Sequence, residues 1–559
     1  MSLLEQHFDV AFAAPDGIKK LRELILTLAM QGKLVPQDPN DETASELLRS
    51  IEADRNRLIK EGKIKQSKPL PEVKTEEITR DLPDTWKWLR LGDFGMWKSG
   101  TTPSRTNSAY YGGEIPWVKS GEVKQGKIRE TEETITQEAL KNCSLALNPI
   151  GSILIAMYGA NIGEVGVLEI EATTNQAVCA CKTYFGIDNI FLLYLIISLK
   201  QNFNAQGAGA AQPNISKEKI INTLAPLPPL AEQRRIVAKI DQLMARCDEL
   251  EKLRIDRSQR LLTVHTAALD RLLTAKDSSE FSTAWSFITQ HFGELYSVKE
   301  NVVELRKTIL QLAVMGKLVR QDPNDEPASE LLRSIELEKQ RLVKEGKIKD
   351  MKPLPLIDLI DLPSKIPDLW QWTRIETICE VIVDCPHSTA KFIPDGIICI
   401  DTNSFKGGEI NYHKLRYVSE ETYLDRINRL SPQAGDVIFA REGSVGESVI
   451  IPSGMECCLG QRVMLFRPTK GVLSRYLQLS ISNPLFLTTL LSVYKGIGAK
   501  HVNVKDMRNA LISLPPLAEQ RRIMEKIDRL MGMCDRLEES ILSSKGKQTD
   551  LLNALMSQV

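Results

Sequence analysis

Cys385 and His387 lie two positions apart in VDCPHSTAKF, and in this chain of 559 residues they are the side chains whose types most suggest chemistry. A thiol and an imidazole can serve as nucleophile and base. Residues so close in sequence rarely meet in that geometry, however, and no third group is evident that would orient the imidazole. The segment reads better as a loop that recognises something. Asp84 with Glu122 and Lys124 would suit a nuclease, but loose carboxylate spacings arise by chance among 72 acidic and 72 basic residues. Nucleotide hydrolysis would call for GxxxxGK[ST]. None of the Gly-Lys pairs beginning at Gly32, Gly62, Gly126, Gly316 and Gly346 is followed by Ser or Thr. Adenine methylation would need an NPPY-like loop; Asn483-Pro484-Leu485-Phe486 lacks the second proline and reads as a turn that starts a helix. Cys179 and Cys181 alternate in QAVCACKTYF, which reads as a strand presenting both to one face. The ten cysteines contain no CxxC pair and the six histidines are not at zinc-ligand spacing, so buried reduced thiols are expected. No catalytic residue and no metal site is assigned.

The elements that would carry any site are organised by repetition. LPPLAEQRRI occurs unchanged at Leu227 to Ile236 and at Leu514 to Ile523, 287 positions apart, and the stretch from Leu21 to Pro71 recurs from Leu305 to Pro355 with 37 of 51 positions identical. A period this long means duplicated domains. Each half is therefore a repeat, an insert and a repeat. The inserts, Trp86 to Pro226 and Trp370 to Ser513, share almost no extended identity.

After each LPP the pattern is strongly helical, with Glu232 and Glu519 in the first turn where the helix dipole favours them. Ile236, Ile240, Leu243, Cys247 and Leu250 step by 4, 3, 4, 3, as do Ile523, Ile527, Leu530, Cys534, Leu537 and Ile541. These are heptad seams, and each is the other's obvious partner, so an intramolecular antiparallel coiled coil holding the inserts apart is expected. Unbroken from Leu230 to Leu273, the first helix would be roughly 65 Å long at about 1.5 Å per residue. The upstream repeat predicts helices from Leu21 to about Lys33 and from Ala44 to Glu61, broken at the QDPNDE turn and followed by an extended KPLP at Lys68 to Pro71 and Lys352 to Pro355. The inserts carry short β-branched runs, GSILIAM and GDVIFA, between glycine turns, each followed by a helical stretch. The fold class expected is α+β.

The composition, 42% hydrophobic and 26% charged, is that of a globular protein, and no apolar run reaches the length of a membrane span. The amino terminus lacks the basic segment and apolar core of a secretory signal. A cytoplasmic location is expected. A net charge of zero weighs against a simple nucleic-acid binder, although a neutral total can conceal a local basic face.

The doubled LPPLAEQRR followed by heptads, with divergent inserts between, resembles the specificity subunit of type I restriction-modification systems. Insert one holds SGTTPSRTNSAYYGGEIPWVKSGEV (Ser99 to Val123), similar to the family's TPS and YxGGxIPW pattern, and insert two holds DCPHSTAKFIPDGIICIDTNSF (Asp384 to Phe405) in the corresponding place, without the TPS and YGG residues. MYGANIGEVG and AREGSVGES follow, then GAGAAQPNISKEKI and GIGAKHVNVKDM.

The resemblance implies two α+β target-recognition domains separated by a long antiparallel coiled coil, in pseudo-two-fold duplicated halves. The divisions expected are residues 1–85, a helical repeat; 86–226, the first recognition domain; 227–275, the central helix; 276–369, a linker and the second helical repeat; 370–513, the second recognition domain; and 514–559, the C-terminal helix. It also implies a noncatalytic subunit that reads a bipartite double-stranded DNA target and scaffolds two copies of a methyltransferase subunit together with restriction and translocase subunits. S-adenosylmethionine, ATP and Mg would belong to those partners. Base readout draws on Arg, Lys, Asn, Gln, Ser and Thr at groove edges. The candidate DNA contacts are Thr102, Ser104, Arg105, Tyr110, Lys119, Tyr158, Asn161 and Gln212 in the first half, and His387, Ser388, Thr389, Lys391, Asn403, Arg441, Ser444, Lys500 and His501 in the second. The alternative is a coiled-coil assembly scaffold whose two inserts bind protein or small ligands.

Overall fold

The computed structural model describes residues 7–62, 64, 69–78, 80–124, 126–207, 214–349, 354–358, 362–386, 388–492 and 501–557. The chain divides into two compact units, one of residues 1–256 with 544–559 and the other of residues 257–543. Two long helices, Leu230–Thr274 and Leu517–Met556, each begin in one unit and end in the other. At 45 residues the first is unbroken throughout.

The repeated motif is a connector, and its residue types follow from what it connects. Pro228 and Pro229 precede the first long helix. From its first turn Glu232, only 1% exposed, accepts hydrogen bonds from the Trp86 indole (2.9 Å) and from Gln37 Nε2 (2.6 Å). In the second copy Glu519, fully buried, has Trp370 and Gln321 beside it. Arg235 forks onto Asp41 (3.1 and 2.6 Å) and Arg522 onto Asp325 (3.1 and 2.5 Å). Both aspartates come from the QDPNDE turn, whose shape is held by Asp38 accepting from the Asn40 amide and Asp322 from that of Asn324. The two identical segments of each half therefore hold each other.

Gln233 and Gln520, both with no exposed surface, reach in the other direction. Gln233 Oε1 accepts from the Asp188 amide (2.9 Å) and its Nε2 donates to the carbonyls of Pro228 (3.0 Å) and Gly186 (3.4 Å). Gln520 does the same with the Leu473 amide (3.0 Å) and the carbonyls of Pro515 (3.1 Å) and Gly471 (3.3 Å). Every partner is main chain. A side chain that binds only backbone can stay invariant while the insert it grips changes.

The seams are filled earlier than their periodicity suggests. Ile236, Ile240 and Cys247 share a core with Ile25, Leu26 and Ala29 of the helix Gly17–Met30, flanked by Arg22 on Asp248 (2.6 Å) and Glu251 (2.9 Å). Ile523, Ile527, Cys534 and Ile541 likewise share a core with Val302, Ile309 and Leu312 of Lys299–Val314, flanked by Arg306 on Asp535 (2.7 Å). The two long helices share the second core, Ala268, Leu269 and Leu272 of the first with Ile523 and Ile527 of the other, in keeping with the expected coiled coil. Each seam has a frame helix on it as well, because periodicity marks a buried stripe without naming all that buries it. Leu250, the last residue of the first predicted seam, is 49% exposed. In the first unit Leu552 and Leu555 pack with Ala14, and in the second Ala268, Leu269 and Leu272 pack with Ala284 and Ile288.

Two of the Gly-Lys pairs close the frame helices. Gly32 (φ 71°) and Gly316 (φ 68°) follow the last turns, and a Cβ there would lie 2.4 Å from Pro83 and from Pro367 respectively. Only glycine fits.

Each insert is closed at its neck by a two-stranded antiparallel ribbon, Lys87–Arg90 with Leu224–Leu227 and Gln371–Arg374 with Leu511–Leu514. At each neck an arginine ties off the extended lead-in. Arg90 donates to the carbonyls of Pro71 and Asn222, and Arg374 to those of Pro355 and Asn509. Lys68 and Lys352, which open the two KPLP segments, lie outside the described residues.

Beyond the neck the first insert forms a sheet ordered Gly95–Ser99, Val178–Thr183, Ile153–Ala156, Val165–Leu168, Gly126–Ile128. The second forms Cys379–Asp384, Val463–Pro468, Val437–Ala440, Ser448–Ile450 in the same sequence of connections. Cys179 and Cys181 face one core, as the alternation requires. Each insert has a second small sheet: Tyr111–Val118 between Thr134–Ile135 and Thr173–Thr174 in the first, and Ile397–Ile400 between Arg416–Val418 and Cys457–Leu459 in the second. Two sequences without extended identity thus build one α+β topology.

Candidate nucleic-acid interface

In the first insert the small sheet presents a compact group of charges over aromatic rings. The chain from Thr101 to Tyr110 lies across one end of the strand Tyr111–Val118, tied down by the Trp117 indole donating to the Thr101 carbonyl (3.2 Å) and the Tyr111 hydroxyl donating to that of Pro103 (2.6 Å). This loop lifts Arg105 so that its guanidinium lies 4.5 Å from the Tyr111 ring centre and 5.3 Å from that of Trp117. Glu133 accepts both arms of Arg105 (2.7 and 3.2 Å) and also binds Lys119 (3.0 Å), whose ammonium reaches Glu132 (2.7 Å) as well. Arg105 and then Lys119 hold the Glu133 carboxyl down at about 2. The same pairs raise both cations above their ordinary values.

Arg105, Lys119 and Ser104 are thus brought together on this end, with Ser104 exposed and hydrogen-bonded to Thr106 (2.8 Å). Thr102 is half-buried, and Tyr110 packs against the core beneath the small sheet. Tyr158 and Asn161 belong to a different turn, Gly159–Asn161 and the residue before it, where Tyr158 is exposed and bridges to Asn214. Gln212 lies outside the described residues.

In the second insert the corresponding strand ends at Ile400, and the next residue is Asp401 where the first insert has Lys119. Across from it, Arg416 pairs with Cys399 in the place where the Glu133 carbonyl accepts from Trp117. Arg416 forms an ion pair with Asp401 and lies 3.7 Å from the centre of the Phe392 ring. The cross-strand pair is therefore present in both inserts with its polarity reversed.

Ser388, Thr389 and Lys391 are exposed in the loop before Phe392, and the Ser388 carbonyl is held by Arg426 (2.5 Å). Asn403 is exposed in a turn capped by Asp401, and Ser444 is exposed at a second turn. His501 pairs with Glu442, which also binds Arg462 (3.3 Å). Arg441, the residue after the strand Val437–Ala440, is 7% exposed and donates to Asp384 (2.7 Å). His387 and Lys500 lie outside the described residues.

Comparison with known sequences decides the family. The profile described as the type I restriction modification DNA specificity domain matches residues 83–257 and 367–544, more than half of the chain. The chain belongs to the type I restriction-modification specificity subunits. The specificity subunit of the type I restriction enzyme EcoAI from Escherichia coli is 34% identical over 562 residues, spanning 96% of this chain and 93% of that one. The EcoEI specificity subunit, also from Escherichia coli, is 31% identical over 580 residues with the same coverage. Among solved structures, the HsdS subunit from Thermoanaerobacter tengcongensis aligns at 19% identity with a TM-score of 0.42, covering 86% of this chain and 98% of that chain.

Sequence reasoning about this specificity subunit missed Glu133, Arg416 and Phe392. The YxGGxIPW string marked Tyr110 and Trp117, but nothing local marks Tyr111 as the ring beneath Arg105 or Glu133 as its partner. Cys385 is buried, and burial pushes its thiol up, away from the thiolate a nucleophile needs. Cys179 is pushed up to about 12 for the same reason. Among the described residues no cluster of His, Cys, Asp and Glu could hold a metal ion, and no helix is long and apolar enough to cross a membrane.

Proposed function

We propose that this subunit reads a bipartite DNA target, one half with residues 86–226 and the other with residues 370–513, while its repeated frames carry two methyltransferase subunits and the restriction subunits. The observation that carries the reading is the pair of inserts with one sheet order, one kind of neck and opposite charge patterns at the same strand end. A scaffold that must position two readers alike, yet have them prefer different sequences, needs that combination. S-adenosylmethionine, ATP and Mg then belong to the partner subunits, and the complex acts on cytoplasmic DNA. The remaining divisions proposed are a helical repeat in residues 1–85, the central helix in 227–275, a linker and repeat in 276–369, and the C-terminal helix in 514–559. Of the candidate contacts, Ser104, Arg105, Lys119, Tyr158 and Asn161 serve the first half-site, and Ser388, Thr389, Lys391, Asn403, Ser444 and His501 the second, with Arg441 supporting its turn from below.

Arginine and lysine at such a surface fix register on phosphates and discriminate bases at groove edges. Arg105→Ala should weaken recognition of one half-site only. The test is binding by the full chain to duplexes in which either half of a target mapped by methylation sequencing is scrambled. Equal loss on both halves would refute the two-reader arrangement. A chain with no salt-dependent affinity for any duplex would favour a protein-binding scaffold instead.

A further inference from the structure

We infer that Glu133 is an internal competitor for the DNA backbone, occupying Arg105 and Lys119 so that a duplex must displace a carboxylate before it can engage them. The inference rests on the reading that this end of the first insert faces DNA. Its grounds are geometric. Among the described residues Glu133 is the one group bound to both cations, using both oxygens on Arg105 and one of them again on Lys119. Among the described residues its carboxylate accepts from no main-chain amide, whereas that of its neighbour Glu122 accepts from the amides of Lys119 (2.7 Å) and Glu132 (2.7 Å). With Glu132 on Lys119 as well, the two cations face two carboxylates.

Such a surface does not attract phosphate in the free protein. Electrostatic, sequence-independent attraction is what supplies non-specific binding, so neutralising these cations from within suppresses it. Arg105 does not lose its orientation when Glu133 lets go, because the Tyr111 and Trp117 rings remain beneath the guanidinium. It can then reach a base edge as well as a phosphate, and only a matching half-site offers both. Glu133 in this way penalises every duplex by the cost of releasing its two cations, and a matching half-site outweighs that cost more readily because Arg105 meets a base edge there as well as a phosphate. In the second insert the acid of the reversed pair, Asp401, is buried and caps its own turn, so the device belongs to the first domain.

The experiment measures binding of full-length wild type, Glu133→Gln, Glu169→Gln and Arg105→Ala to two duplexes of equal length across a range of salt. One duplex carries the methylation-mapped target and the other a random sequence. E133Q should bind the random duplex about three- to tenfold more tightly at low salt, as expected for freeing two exposed cations, with a steeper salt slope by about one to two. Its gain on the mapped target should be at least as large, because the same carboxylate no longer has to be displaced there. E169Q removes the same charge from a second cluster on the domain, where Glu169 binds Lys127 and Arg129, and should leave both affinities close to those of wild type. Unchanged affinity and slope for E133Q on random DNA, no tightening on the mapped target, or the same effect from E169Q would each overturn the proposal. Loss of binding to both duplexes would overturn it too, by making Glu133 a support for Arg105. R105A separates the two possible failures. If it binds the mapped target as tightly as wild type, the DNA-facing reading is wrong; if it weakens that target while E133Q does nothing, the reading stands and the competitor falls.

Discussion

Replacing Gln233 by Leu tests how the repeated motif holds a variable domain. Leucine keeps most of the volume and removes every polar atom. The Asp188 amide and the Pro228 carbonyl would then be left unpaired at a position with no exposed surface, while the longer contact to Gly186 counts for less. An unpaired buried donor or acceptor costs about 1–3 kcal/mol, so the substitution should destabilise by about 2–5 kcal/mol. For a unit of this size that is a fall in melting temperature of about 5–15 °C. Asp188 also caps the helix Asn189–Ser198, accepting from the amides of Ile190 and Phe191, so the loss should be felt in the recognition domain. The assay is thermal unfolding followed by calorimetry, with Gln520→Leu measured in parallel because its three partners are equivalent. A change below about 1 kcal/mol at either position, or a large effect at one and none at the other, would refute the reasoning.

Arg235→Lys and Arg522→Lys replace a forked pair by a single point charge, and each should cost about 0.5–1 kcal/mol in chemical denaturation, since the arginines are partly exposed. Burial raises the Glu232 and Glu519 carboxyls above their ordinary value of 4.5, with hydrogen bonds from Trp86 and Gln37 opposing the shift at Glu232. The folded state then keeps these protons longer than the unfolded chain, so their contribution to stability is full below 4.5 and is lost as pH rises through the raised values. A Glu232→Gln, Glu519→Gln double variant cannot ionise there, and its stability relative to wild type should improve across that interval; a difference independent of pH in urea titrations would contradict this.

Much of the architecture was legible in the chain because repetition and periodicity are local properties. The doubled LPPLAEQRRI, the QDPNDE turns and the heptad steps located the frames, and the β-branched runs located sheets in the inserts. The reading of Asn483 was sound too, since its side chain accepts from the Leu485 amide at the start of Pro484–Ser492. The burial of Arg441 on Asp384 was not legible, because a polar residue beside a glycine turn gives no sign of which way it points. Glu133 was invisible because it lies 28 residues from Arg105, among other glutamates that differ from it only in position.

The sequence by itself determined that there are two copies of a helical frame around two divergent α+β inserts, and that no familiar catalytic motif accompanies them. Hydrophobic period and exact repetition suffice for that. Only the tertiary structure decided what each buried face meets: that the seams pack on Gly17–Met30 and Lys299–Val314, that Glu232 lies against Trp86, and that Gln233 grips nothing but main chain. A pattern of apolar residues states that a face leaves water, but its partner is chosen by packing among segments distant in the chain. Hydrogen bonds to backbone leave still less trace, since any residue can supply the amide or carbonyl at the far end.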